Sequence, residues 1–394
     1  MNFPSAQRLS ALMHRYTDTG EVAGAVALIE HNGQTIFSDR SGYADIQRKT
    51  PVEANSIFRI ASMTKPITSA MALMLVDQGT LRLEDPIAKW IPELANPKVL
   101  MHANANIDET VDAIRPIILH DLLMHRSGLA YPFSANPSLT DALRRATGSL
   151  DIVPDCDPDE WLRRVATLPL MFQPGSRWHY GYSTDVLGIL LARATHQSLG
   201  ELLRERIFSP LQMSDTGFYV GADRLNRLTT AYVRLPQSDV LMPMDSQDGR
   251  WSRPAVFESG GAGLVSTAKD YMAFARLLLN KGEAHGKQLL SANAVAMMTT
   301  DALRPDEHQH PFLNLEDYWS YQGFGLGLSM VTDSTRSRAA ASQGQYTWPG
   351  AFGTFWFAAP DKNLIAILLF QEYWSQSAIQ RDFQNMAHEI VASF

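Results

Sequence analysis

Strand-forming segments in this chain are confined to its two ends. Near the start, "VAGAVALIEHNGQTIFSDRSGYAD" reads as two strands around Asn32-Gly33. That dipeptide tolerates the positive φ angles of a tight hairpin turn. Near the finish, "FGLGLSMV" (324–331), "GTFWFAA" (353–359) and "NLIAILLFQ" (363–371) read as strands, and Pro360-Asp361-Lys362 forms a turn between the last two. Between the ends, helical periodicity dominates at 66–78, 117–125, 139–147, 159–167, 184–196, 199–207, 267–281 and 291–299. Further helices are predicted over 4–16 and 376–393. Strands separated by such a long helical stretch bury their apolar faces most simply by pairing end with end. The predicted fold is therefore α+β. Residues 1–60 and 310–394 make an antiparallel sheet flanked by terminal helices, and 61–309 form a mainly helical lobe. A cleft between two lobes is a usual place for a small-molecule site.

Composition narrows the function classes. A chain of 394 residues with 45% hydrophobic content can build a full core. Its net charge of −7 leaves no basic excess to neutralise phosphates, which argues against a general nucleic-acid partner. The single cysteine, Cys156, cannot form an intrachain disulfide and fits a reducing compartment. The N-terminal stretch lacks a continuous apolar core of the signal-peptide kind, and no run of about 18 apolar residues suggests a membrane span. A cytoplasmic location is the expectation. Nothing in the sequence fixes the oligomeric state.

The motif Ser-x-x-Lys occurs twice. Ser266-Thr267-Ala268-Lys269 opens the segment "TAKDYMAFARLLLNKG". There Thr267 and Asp270 look like an N-terminal cap with an acidic residue in the first turn. Lys269, Ala273, Arg276 and Asn280 share one helical face, a solvated stripe opposite Tyr271, Phe274, Leu277 and Leu278. Ser62-Met63-Thr64-Lys65 is different. It opens "FRIASMTKPITSAMALMLVDQG", which is apolar nearly all round, as a buried central helix should be. Burying a lysine costs several kcal/mol unless it is paired or neutralised, and a neutralised amine is a base. The i, i+3 spacing puts Ser62 and Lys65 on one face. The competing reading is a lysine that reaches water from the first turn.

In these residues the chain resembles the serine β-lactamase-like superfamily. Within it, the resemblance is to class C β-lactamases and the family VIII carboxylesterases. Ser-x-x-Lys is the superfamily's first motif. The resemblance also rests on "ILHDLLMHRSGL" (118–129), "FQPGSRWHYGYSTDVLG" (172–188), "SPLQMSDTGF" (209–218), "GGAGLVSTAKDYMAFARLLLNKG" (260–282) and "YTWPGAFGTFW" (346–356). It implies the β-lactamase/penicillin-binding-protein-like fold. It also implies a catalytic tyrosine, for which Tyr180 is preferred and Tyr182 is the rival. The asparagine that follows this tyrosine in the β-lactamases is replaced by Tyr182 or Ser183, depending on where a one-residue gap falls. The cationic third motif is replaced by Trp348-Pro349-Gly350, followed by Ala351. Both departures favour an ester over a β-lactam.

The resemblance implies these roles: Ser62 as nucleophile, Lys65 and Tyr180 as general base, and the backbone N–H groups of Ser62 and Ala351 as oxyanion hole. Trp348, Gly350 and Tyr182 would contact substrate. No metal or other cofactor is expected, and the partner is a small ester. The implied reaction is hydrolysis of short- to medium-chain carboxylic esters. Its alternatives are acyl transfer through the same intermediate, a β-lactamase or D-alanyl-D-alanine peptidase activity, and a scaffold without catalysis. The α/β-hydrolase elbow Gly-x-Ser-x-Gly does not occur. His120 with His125, and His308 with His310, lack a zinc-site spacing. "GGAG" (260–263) is not followed by the Lys-Ser/Thr of a phosphate loop and reads as a close passage by the cleft floor. "YWSYQGF" (318–324) either lines the acyl pocket or fills the join between lobes.

Overall fold

The computed structural model describes residues 4–147, 153–235, 238, 240–313 and 315–393. Its main sheet has eight strands: β1 Gly24–His31, β2 Gln34–Asp45, β3 Thr50–Pro51, β4 Gln322–Phe324, β5 Ser329–Val331, β6 Tyr346–Thr347, β7 Phe355–Ala359 and β8 Leu364–Phe370. The spatial order is β4-β5-β6-β7-β8-β1-β2-β3, and every pairing is antiparallel. The two chain ends meet where β8 pairs with β1, from Ala25 opposite Phe370 to His31 opposite Leu364. Asn32 (φ 51°) and Gly33 (φ 74°) turn the β1–β2 hairpin in the left-handed region that this dipeptide accepts at little cost.

Both faces of the sheet are covered, which explains the unbroken apolar run in β8. Leu364, Ala366, Leu368 and Phe370 face a core shared with two terminal helices, α1 Pro4–Asp18 and a C-terminal helix Ile379–Ala392. Ile365, Ile367 and Leu369 face the opposite way, into the larger core of the helical region. There the helix Ala268–Leu279 lies on the sheet, with Tyr271 edge-on to Trp356 of β7. Thr267 caps this helix by accepting from the Asp270 N–H at 3.1 Å, and Lys269 is exposed. Arg276 from the same helix pairs with the buried Glu30 of β1.

Two expectations need correction. The segment 324–331 is not one strand. Gly327 has φ 98°, and a Cβ there would lie 2.3 Å from Ser69 Oγ, so the chain folds back between β4 and β5. Also, the middle of the chain is less purely helical than periodicity suggests. Phe58–Arg59 pairs with Val265–Ser266, Lys98–Leu100 pairs with Thr110–Asp112, and Ala231–Arg234 pairs with Leu241–Asp245. These strands are too short to carry a period-2 signal.

Candidate active site

The chain enters the site through Phe58–Arg59. Arg59 is fully buried, donates to Asp245 Oδ2 at 2.8 Å and to the Thr229 carbonyl, and lies over the Trp251 ring. Ala61 then adopts φ 42° and tips the chain into a single 3₁₀ turn, Ala61–Met63. Such a left-handed alanine is strained, and strain of this kind persists only where surrounding contacts enforce it. Helix α2, Thr64–Asp77, follows directly. Every residue from Thr64 to Leu75 is buried, with Pro66 tolerated in the first turn. Lys65 is 2% exposed, so its amine does not reach water.

Three oxygens surround Lys65 Nζ: the Gly261 carbonyl at 2.8 Å, Tyr131 Oη at 3.1 Å and Ser62 Oγ at 3.2 Å. The amine also lies 4.8 Å from the Tyr180 ring centre and 5.2 Å from that of Tyr131. Tyr180 Oη donates to Ser62 Oγ at 2.9 Å, and the Trp348 indole N–H approaches Tyr180 Oη at 3.4 Å. One serine hydroxyl is therefore met by an amine on one side and a phenol on the other. His125 stacks at a tilt 5.1 Å from Tyr180; burial, and then the charge of Lys65, hold its imidazole well below the ordinary value, so it stays neutral.

Tyr182 does not join this cluster. Its ring is buried between Tyr131 (4.4 Å) and Trp161 (5.2 Å), where it precedes the helix α3, Ser183–Thr195. Burial raises its phenol above the ordinary value. It lines no part of the cavity beside Ser62, so the expectation that it contacts substrate is corrected: the short Tyr-Gly-Tyr spacing points its ring into the core. Ser183, the other residue weighed at the asparagine position, is buried against Ser127 Oγ at 2.8 Å.

Trp348, Gly350 and Ala351 come to Ser62 from the sheet side. Gly350 is there for closeness. A Cβ on it would lie 2.1 Å from Thr354 Oγ1 and 2.3 Å from the Ile60 carbonyl. Its N–H bonds the Thr354 carbonyl at 2.8 Å, Gly353 (φ 85°) closes the turn, and the Trp374 N–H holds the Ala351 carbonyl at 2.8 Å. Among the described residues, neither the Ser62 N–H nor the Ala351 N–H is taken by a protein acceptor.

Ser62 opens into a cavity of about 300 Å³. Its walls come from both sides of the cleft: Tyr131, Phe133 and Tyr180 from the helical region, Phe312, Trp348 and Trp374 from the C-terminal part. Phe133 and Trp374, both partly exposed, meet edge-on at 5.3 Å. Among the described residues, none that lines it is charged. Tyr318 of the "YWSYQGF" segment reaches the cavity, whereas Trp319 is core. Among the described residues no cluster of His, Cys, Asp and Glu could hold a metal ion, and no helix is long and apolar enough to cross a membrane.

Two site residues have no place in the sequence reading. Tyr131 carried no signal beyond being aromatic. Asp185 did carry one: it stands in "STDVLGILLA", a helix otherwise free of acid, and invites the question that Lys65 invited. Its carboxylate is fully buried. Oδ1 accepts from Ser259 Oγ at 2.5 Å and from the Gly261 N–H at 3.2 Å, and Oδ2 accepts from Tyr131 Oη at 3.1 Å. Burial pushes this carboxyl above its ordinary value, opposed by Lys65 and by these hydrogen bonds. "GGAG" also gains a part, since Gly261 offers its carbonyl to Lys65 and its N–H to Asp185.

An eight-stranded antiparallel sheet backed by terminal helices, with a Ser-x-x-Lys helix entering a cleft opposite a tyrosine, defines a β-lactamase-like protein. The family model for beta-lactamase matches residues 9–387, and the chain belongs to that family. Among curated relatives, Protein Rv1367c of Mycobacterium tuberculosis is 41% identical over 92% of this chain and 88% of its own length. Esterase EstB of Burkholderia gladioli is 30% identical over 92% of this chain and 90% of its own. Among solved structures, EstCE1, described as a hydrolase with promiscuous acyltransferase activity, superposes with a TM-score of 0.83 at 24% identity, covering 98% of both chains.

Proposed function

We propose that this protein is a serine carboxylesterase that cleaves short- to medium-chain esters of uncharged acids through an acyl-enzyme on Ser62. The observation that carries the reading is the meeting of Ser62 with both Lys65 Nζ and Tyr180 Oη at the floor of an aromatic cavity without a charge. The similarity to Esterase EstB supports it. As Ser62 Oγ bonds to the ester carbonyl carbon, its proton passes to Lys65. When the ester C–O bond breaks, that proton returns to the departing alkoxide by way of Tyr180. The N–H groups of Ser62 and Ala351 hold the oxyanion, as uncommitted donors beside the nucleophile can. Water then enters by the reverse proton path and releases the acid.

The uncharged cavity also bears on the rivals. A β-lactam carries a carboxylate, and no cation among the described lining residues would form an ion pair with it. Acyl transfer is the nearer alternative, because apolar walls such as Phe133 and Trp374 suit an alcohol as acceptor as well as they suit the leaving group. A cytoplasmic location is part of the reading, supported by the lone, unpaired Cys156.

The test uses p-nitrophenyl butyrate and a chromogenic cephalosporin side by side, on wild type and Ser62→Ala. The expected result is rapid ester cleavage lost in Ser62→Ala, with little lactam cleavage. Dominant lactam cleavage would overturn the ester assignment. Added butanol that diverts product from butyrate to butyl butyrate would select acyl transfer.

A further inference from the structure

The catalytic reading leaves a buried acid unused. Asp185 sits behind the site and touches no cavity, yet burying a carboxylate is costly unless it is paired. What it does follows from counting hydrogen-bond valences around Lys65.

Lys65 Nζ has three neighbouring oxygens. The Gly261 carbonyl can only accept. Tyr131 Oη could donate or accept, and here Asp185 decides. Its Oδ1 is already filled by Ser259 and Gly261, and its Oδ2 lies 3.1 Å from Tyr131 Oη. A carboxylate only accepts, so the Tyr131 proton is committed to it. The Tyr131 oxygen is then left as an acceptor for a lysine N–H. Two of the three directions on Nζ are thus fixed as N–H donors. The third faces Ser62 Oγ, and it is a lone pair when the amine is neutral and an N–H when it is charged.

We propose that Asp185, acting through Tyr131, is a positioning residue that aims the reactive valence of Lys65 at Ser62. The inference rests on the serine–lysine–tyrosine reading above. It makes the proton path directional. With the amine neutral, Tyr180 donates to Ser62, Ser62 donates to Lys65, Lys65 donates to Tyr131, and Tyr131 donates to Asp185. When Ser62 Oγ bonds to the carbonyl carbon, its proton crosses to the Nζ lone pair. The resulting ammonium has the Asp185 carboxylate as counter-ion one hydroxyl away. Among the described residues, the Tyr180 ring and the neutral His125 also face Nζ.

The two substitutions act differently on the proton of Tyr131. In Asp185→Asn the carboxamide oxygen replaces Oδ1 and the amide N–H₂ faces Tyr131. The Tyr131 proton must then turn toward Lys65 and occupy the lone pair. Tyr131→Phe merely deletes one acceptor. We expect kcat for p-nitrophenyl butyrate to fall about 10-fold in Tyr131→Phe and 100-fold or more in Asp185→Asn, with KM within threefold in both. The double variant Tyr131→Phe/Asp185→Asn should recover to the level of Tyr131→Phe, since the misdirected proton is gone. In Asp185→Asn the acid limb of the kcat/KM profile should move to lower pH, because the lysine ammonium has lost its counter-ion.

Circular dichroism and thermal melting establish that each variant is folded. A double variant no better than Asp185→Asn, or wild-type kcat in either single variant, would overturn the proposal. If Asp185→Asn does not fold, Tyr131→Phe decides: an unchanged kcat overturns it, and a fall in kcat at constant KM upholds it. Ser62→Ala run in parallel separates the two claims. Turnover surviving in Ser62→Ala defeats the esterase reading itself, whereas an inactive Ser62→Ala beside a wild-type Tyr131→Phe defeats only the role of Asp185.

Discussion

The phenol oxygen of Tyr180 lies 2.9 Å from the hydroxyl of Ser62, although 118 positions separate them in the chain. General acid–base contributions of this kind are typically worth about 100- to 10,000-fold. Tyr180→Phe is therefore expected to lose at least 100-fold in kcat on p-nitrophenyl butyrate while its melting temperature stays near wild type. Tyr182→Phe should retain turnover within about threefold, because its ring packs against Trp161 and Tyr131 and no part of it reaches Ser62. The reverse ranking in steady-state kinetics would move the base to Tyr182.

The two Ser-x-x-Lys matches separate in the same assay. Lys65 is buried among three oxygens, whereas Lys269 is exposed on its helix. Lys65→Ala should reduce kcat/KM by several orders of magnitude in a folded protein. Lys269→Ala should be within twofold of wild type. Appreciable turnover in Lys65→Ala would remove the lysine from the proton path.

Gly350 separates stability from geometry. An added Cβ would meet Thr354 Oγ1 and the Ile60 carbonyl, both fixed in the structure. Overpacking of this sort costs about 1–3 kcal/mol. It also pushes Ala351 and its N–H away from Ser62. Gly350→Ala should therefore lower both the denaturation midpoint and kcat, while Gly344→Ala, which has open space but a φ of 75°, should lower the midpoint through backbone strain and leave kcat unchanged. Unaltered kcat in Gly350→Ala would mean that Ala351 takes no part in holding the oxyanion.

Acid should destabilise the fold through its buried histidines. Burial, then the charge of Arg177, depresses the His179 imidazole to about 4, and burial, then Lys362, depresses His388 to about 4. Unfolded histidine titrates near 6.5. Between those values the unfolded chain binds protons that the native protein refuses, so stability is full above about pH 6.5 and is lost as pH falls toward 4. Thermal melts from pH 7.5 to 5 should show a falling midpoint, flattened in a His179→Gln/His388→Gln variant. A midpoint that holds constant over that range in wild type would contradict this.

Legibility in the sequence tracked the range of the interaction. Ser62 and Lys65 are three residues apart, so helix geometry alone puts them on one face, and an apolar helix leaves the amine no route to water. The Asn32-Gly33 turn and the Thr267 cap are equally local. The continuous apolar run of β8 announced a strand, and the structure covers both of its faces. The segment 324–331 misled because alternation describes a surface and carries no information on where a chain folds back, which here depends on Gly327 passing against Ser69.

What the sequence determined by itself, then, is the pairing of Ser62 with Lys65 and the placement of the main-sheet strands at the chain ends. These follow from backbone periodicity and residue chemistry within a few positions. Only the tertiary structure decided that Tyr180 rather than Tyr182 faces Ser62, that Tyr131 and Asp185 complete the setting of Lys65, and that no charge lines the cavity. The first two depend on side chains 54 to 118 positions apart reaching hydrogen-bond distance, and the third on which side chains converge on the cleft. Such distances are set by the packing of whole helices against a sheet, and a spacing in sequence does not encode them.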